Sequence, residues 1–86
     1  MVSILSFMVV RVGATESVTE ALRAIPQVSD VYSITGKYDL AVRLEGRTSE
    51  EIFGIFTDSI EKIEGIVVFE SHLIMQHWAR GSAPVR

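Results

Sequence analysis

The stretch Val28-Ser29-Asp30-Val31-Tyr32-Ser33-Ile34-Thr35-Gly36-Lys37-Tyr38-Asp39-Leu40-Ala41-Val42-Arg43-Leu44-Glu45 decides how the chain folds. Two runs rich in β-branched and aromatic residues flank Gly36-Lys37. Such runs, broken by a glycine turn, read as a β-hairpin. The spacing predicts a strand over 28–35, a two-residue type II′ turn at Gly36-Lys37 and a strand over 38–45. In the second strand Tyr38, Leu40, Val42 and Leu44 share one face, and Asp39, Ala41, Arg43 and Glu45 the other.

Outward from the hairpin, both flanks repeat one pattern. On the N-terminal side Ile4-Leu5-Ser6-Phe7-Met8-Val9-Val10-Arg11-Val12 reads as a central strand, apolar on both faces. Gly13 ends it. A helix follows with Val18, Ala21, Leu22 and Ile25 on one stripe, Thr15 or Ser17 as its expected cap, and Pro26 as its stop. On the C-terminal side Thr48-Ser49-Glu50-Glu51 has the form of a capping box. Ile52, Ile55, Phe56, Ile60 and Ile63 make the stripe of a second helix, and Gly65 is placed to end it. A fourth strand is expected over Ile66–Gln76, apolar on both faces for much of its length. A shift of about 38 positions lays Val18 on Phe56, Leu22 on Ile60 and Val28 on Ile66, a weak internal repeat.

The order is βαββαβ, an α+β fold of the ferredoxin-like αβ-plait type. It is a four-stranded antiparallel sheet with two helices on one face, built from two interleaved right-handed βαβ units. Residues 1–76 form the domain, and 77–86, with Gly, Ser and Pro and no periodicity, form an expected flexible tail. The second sheet face is left bare.

Composition bears on that bare face. The chain has 86 residues, 48% hydrophobic, and a mean hydropathy of +0.31. A domain this small hides only roughly 60% of its unfolded surface. The surplus apolar surface predicts a dimer formed through the sheet. With 8 basic and 11 acidic residues the net charge is −3, which disfavours binding to nucleic acid phosphates. The absence of cysteine excludes disulfide frameworks, zinc ribbons and thiol nucleophiles. Val2–Val10 is too short to span a membrane and lacks the form of a signal peptide, so the expected location is cytoplasmic.

Candidate chemistry concentrates at Gly36-Lys37-Tyr38-Asp39. The plain reading is a hairpin turn. The functional one uses the same geometry: amide groups freed by the turn hold a carboxylate, and Asp39 receives an ammonium. That pairing suits an α-amino acid, with Tyr38 closing the pocket. His72 and His77, five apart on one strand, would face opposite ways and share no metal within one chain, which leaves only a site across a subunit interface as the less favoured alternative. Trp78 reads as an interface anchor. No nucleophile elbow or phosphate loop is present. RNA-recognition chemistry is rejected, because the third strand carries one aromatic and two acids.

The run Ala21-Leu22-Arg23-Ala24-Ile25-Pro26-Gln27-Val28 through Thr35-Gly36-Lys37-Tyr38-Asp39-Leu40, with Ile60-Glu61-Lys62-Ile63-Glu64-Gly65-Ile66 and Phe69–Met75, resembles the effector-binding (RAM) domain of the Lrp/AsnC transcriptional regulators. The resemblance covers roughly residues 3 to 76. It implies a homodimer assembling into rings of four or five dimers (octamer or decamer), with amino-acid effectors bound between neighbouring dimers. It places Gly36, Tyr38 and Asp39 near that site. Ser71 stands where the family often has Thr, so its hydroxyl is expected to line the site too. Met1 leads almost directly into the first strand, so the expectation is a stand-alone form without the helix-turn-helix domain. Such a form would not bind DNA itself; it would sense an amino acid alone, or join rings with full-length regulators and alter their activity.

The expected function is therefore amino-acid binding and assembly, without catalysis, cofactor or metal. Two alternatives compete. One is a small ferredoxin-like enzyme of monooxygenase or isomerase type, which turnover abolished by His72→Ala would reveal. The other is a purely structural assembly module.

Overall fold

The structure, a computed structural model, describes residues 1–81, 84 and 85. Strand β1 spans Val2–Val10, helix α1 Thr15–Arg23, β2 Val28–Ser33, β3 Leu40–Gly46, helix α2 Ser49–Asp58 and β4 Ile66–Leu73. A 3-10 turn, Ile60–Lys62, follows α2. One antiparallel sheet has the order β2-β3-β1-β4, which is the βαββαβ plait expected from the sequence.

Alternation decides what each strand buries. In β1 the even positions Ile4, Ser6, Met8 and Val10 turn to the helices and are buried, while Leu5, Phe7 and Val9 lie on the opposite, open face. Leu40, Val42 and Leu44 of β3 complete the floor under the helices. Val18 and Leu22 of α1 and Ile52 and Phe56 of α2 close the core from above, with Phe56 stacked on Phe69 at 5.2 Å. Truncating a buried Leu or Ile here costs about 2–5 kcal/mol.

The helix ends differ. Thr48 caps α2 by accepting from the Glu51 amide at 3.1 Å, as the capping box requires. Helix α1 has no side-chain cap: Ala14 holds the cap position, and Ser17 donates instead to the Ala14 carbonyl at 3.1 Å. The expected Thr15 or Ser17 cap fails because the helix starts closer to Gly13. Helix α2 also ends earlier than its apolar stripe. The stripe continues through the 3-10 turn, whose Ile60 is fully buried. Gly65 then takes φ +107° with Ala14 and Val18 packed against it.

Strand β4 stops at Leu73 rather than Gln76. The next residues leave the sheet, and His77–Trp78 (β5) pairs with Pro84–Val85 (β6) in a separate two-stranded ribbon. His72 and His77 therefore belong to different strands. The expected flexible tail, 77–86, lies partly outside the described residues.

Candidate functional site

The hairpin between β2 and β3 is wider than a two-residue turn. The last ladder pair is Ser33 with Leu40, and the Ile34 amide donates to the Asp39 carbonyl at 2.9 Å, leaving Thr35–Tyr38 as the loop. Gly36 sits at φ +106°, the left-handed region in which a side chain is strained. The amides of Thr35, Gly36, Lys37 and Tyr38 donate to no acceptor among the described residues. They remain available to a ligand.

Asp39 is tied into the sheet. Its amide donates to the Met8 carbonyl at 2.8 Å, and its Oδ2 accepts from the Val10 amide at 2.9 Å. That bond sits at the point where the β1–β4 register shifts, between Val9 and Val10. The Val10 amide faces the β3 side, beyond the last β1–β3 pair of Met8 with Leu40, so the carboxylate meets a backbone donor that the ladder no longer reaches. No hydrogen bond among the described residues engages Oδ1.

Tyr38 does not share the helix-side face of Leu40, Val42 and Leu44, as alternation predicted. It belongs to the loop, so the strand period does not reach it. Its ring turns to the open face, 5.7 Å from Phe7, and its hydroxyl donates to Oε1 of Glu70 at 2.5 Å. This bond raises the Tyr38 hydroxyl above its ordinary pKa and holds the Glu70 carboxyl below its own. Glu70 also faces His72, with Nε2 at 3.6 Å from Oε2. His72 meets Phe7 edge-on at 6.0 Å, and Lys37 Nζ lies 5.6 Å from the centre of the Tyr38 ring. Phe7 is therefore flanked by Tyr38 and His72, with Glu70 between them.

Ser71 lies on the other side of the sheet. Its hydroxyl donates to the buried Ser6 hydroxyl at 2.9 Å. No bond among the described residues links it to Gly36, Tyr38 or Asp39. The structure brings Gly36, Tyr38 and Asp39 together and sets Ser71 apart. Sequence reasoning passed over Glu70 and Phe7 as members of this cluster, and gave Lys37 no role within its stretch. The signal was present in the alternation of β4, which puts Val68, Glu70 and His72 on one face. That alternation also corrects the expectation of an apolar open face on β4, where only Val68 of these three is apolar.

Three surface clefts lie elsewhere. One runs along β2 from Arg23 to Val31, one is bounded by Ser3, Arg43, Glu45 and His77, and one follows the outer edge of β4. None includes Gly36, Tyr38, Asp39 or Ser71. Among the described residues no group of three or more His, Asp or Glu is arranged to hold a metal. No helix among them is long and apolar enough to cross a membrane.

Comparison with known proteins gives the same frame. The model of the Lrp/AsnC ligand binding domain matches residues 6–84. The HTH-type transcriptional regulator FL11 of Pyrococcus furiosus is 30% identical over 87 residues, covering 98% of this chain and 57% of the regulator. The chain thus spans little more than half the length of that relative. The crystal structure of the hypothetical protein PHS023 from Pyrococcus horikoshii superposes with a TM-score of 0.83 at 28% identity, covering 96% of this chain and 100% of the other. TTHA0845 from Thermus thermophilus superposes with a TM-score of 0.85 at 30% identity, covering 93% of this chain and 100% of the other.

Proposed function

The chain belongs to the Lrp/AsnC family through its ligand binding domain, and from that premise we propose that it is an amino-acid-responsive binding and assembly module. It acts in transcriptional regulation or amino-acid metabolism, without catalysis. The observation that carries this reading is the fixed Asp39 carboxylate beside a loop of unpaired amides. Oδ2 is held by the Val10 amide and Oδ1 is left open. The amides of Thr35–Tyr38 point to no acceptor among the described residues. An α-amino acid has the complementary pair of charges: its ammonium meets Oδ1 and its carboxylate meets the loop amides.

None of the three clefts above includes these residues, and in this reading a second copy completes the site. The open face supports that reading. Leu5, Phe7 and Val9 lie on it half-buried, and Tyr32 and Val68 lie on it exposed. A second sheet laid on this face covers them. Dimers then associate further, and the effector lies where two of them meet, near Gly36, Tyr38 and Asp39. Ser71 contributes only if a neighbouring copy reaches its hydroxyl. Full-length regulators of the family are the expected partners, and the cytoplasm the expected compartment.

The test is a thermal-shift screen of the twenty amino acids, run on the wild type and on Asp39→Asn and read with native mass spectrometry. A ligand at about 100 times its dissociation constant adds roughly 2.7 kcal/mol to stability. One amino acid should raise the melting temperature of the wild type and leave that of the variant unmoved. A wild type that responds to none of the twenty refutes the proposal.

A further inference from the structure

The chain has three methionines and no cysteine, so thioethers are its only sulfur donors. They are placed unequally. Met8 is fully buried in the core, while Met1 and Met75 are 78% and 77% exposed. The two exposed ones come from distant parts of the sequence and meet at one end of the sheet. Strands β1 and β4 are antiparallel neighbours that pair Ile4 with Leu73, and the Ile74 amide donates to the Ser3 carbonyl at 2.9 Å. That register lays the residues before Ile4 beside those after Leu73.

Met1, Met75 and His77 line one cleft there, with Ser3, Arg43 and Glu45 on its polar side. Met75 and His77 are two apart, the spacing that turns both side chains to one side of an extended segment. The ladder of β5 with β6 pairs His77 with Val85 and so holds the backbone that carries the imidazole. The cleft lies at the far end of β3 from Gly36, Tyr38 and Asp39, since β3 runs from Leu40, opposite Met8, to Gly46, opposite Val2.

Size and charge narrow what the cleft can hold. Its volume is about 160 Å³, below the roughly 300–1,000 Å³ of a cleft for a drug-sized molecule. Its two full charges offset each other. Arg43 Nη2 lies 3.3 Å from Oε2 of Glu45, and the Ser3 hydroxyl donates to the same oxygen at 3.5 Å. No surplus of carboxylate is left for a hard dication, which needs several charged oxygens. Zinc takes thiolate, imidazole and carboxylate rather than thioether. Two thioethers and an imidazole are neutral donors, two of them soft, and soft sulfur selects Cu(I).

We propose that Met75 and His77, completed by Met1, form a binding site for a soft monovalent cation of the Cu(I) or Ag(I) type. The sulfur atoms and one imidazole nitrogen are the donors, and the Arg43–Glu45 pair forms the polar wall. The site is separate from the amino-acid reading and does not rest on it.

The probe is Ag(I), which shares the charge and donor preference of Cu(I) and stays in one oxidation state. It is titrated in chloride-free buffer into the full chain, with Met1 verified by intact mass. Native mass spectrometry should show one Ag(I) per chain, and the methyl resonances of Met1 and Met75 should shift while that of Met8 does not. Met75→Leu keeps an apolar side chain of similar size at an exposed position and removes only the sulfur. Met75→Leu and His77→Gln should each weaken binding at least about tenfold, a loss that even an outer-shell partner brings. Met8→Leu should bind as the wild type does. A wild type that takes up no Ag(I) at micromolar metal overturns the proposal. So does uptake that Met75→Leu and His77→Gln leave unchanged, because the ion then sits elsewhere. A preference for Zn(II) over Ag(I) overturns it as well.

Discussion

The hydroxyl of Tyr38, in the β2–β3 loop, donates at 2.5 Å to Oε1 of Glu70, in the far strand of the sheet. The bond passes over Phe7 of the strand between them. It ties the loop that carries Gly36 and Asp39 to β4. The loop is therefore positioned by a tertiary contact as well as by its own turn.

That bond sets a pH signature. The Glu70 carboxyl is held below its ordinary value of 4.5, chiefly by the Tyr38 hydroxyl. A lowered acid contributes stability above its unfolded pKa and loses it as pH falls through the folded one. The Tyr38 hydroxyl is raised above 10.0, chiefly by the Glu70 carboxylate, so its contribution is present below that value and lost as pH rises through the folded pKa. The stability difference between wild type and Tyr38→Phe should be flat across neutral pH and shrink at both extremes. Urea titrations at acidic, neutral and strongly alkaline pH measure it. A difference that does not change with pH contradicts this account.

Asp39 has a structural task that must be separated from its proposed ligand task. Asp39→Ala strips the Val10 amide of its acceptor and should destabilise the fold by about 1–3 kcal/mol. Asp39→Asn keeps an acceptor oxygen and removes the charge, so it should cost less. Equal stability of the Ala variant and the wild type in chemical denaturation would show that water replaces the carboxylate at no cost.

Thr48 is the side-chain cap of α2. Thr48→Ala should cost about 1 kcal/mol, which for a domain of this size lowers the melting temperature by roughly 4–8 °C. Thr15→Ala is the matched control. Thr15 makes no capping bond, so this variant should melt close to the wild type.

Gly65 and Gly36 share a left-handed backbone but not surroundings. A Cβ at Gly65 would lie 2.9 Å from both the Ala14 Cβ and the Val18 Cγ2, whereas one at Gly36 meets nothing within 4 Å. Gly36→Ala should cost about 1–2 kcal/mol from backbone strain alone. Gly65→Ala carries that strain and a further overpacking cost of about 1–3 kcal/mol. Melting curves should show Gly65→Ala as the less stable of the two, and the reverse order would contradict the packing described around Ala14.

The sequence by itself determined the order of elements, the shared face of Leu40, Val42 and Leu44 in β3 and the capping box at Thr48, while β1, apolar on both faces, did not reveal which one is core. These are local properties. Period-2 alternation, a helical stripe and a glycine between two apolar runs need no distant partner to be read. The family resemblance rested on the same hairpin. The tertiary structure alone decided where the loop side chains point. Tyr38 lies outside the strand, so alternation had no hold on it, and Glu70, 32 residues away, chose its face. Asp39 found its acceptor role just past the end of the β1–β3 ladder, a place that only the pairing of the two strands defines. Ser71 fell on the helix side because β4 pairs in register with Ser6. Strand pairing fixes the face of every residue in a strand at once, and pairing is a relation between segments far apart in the chain.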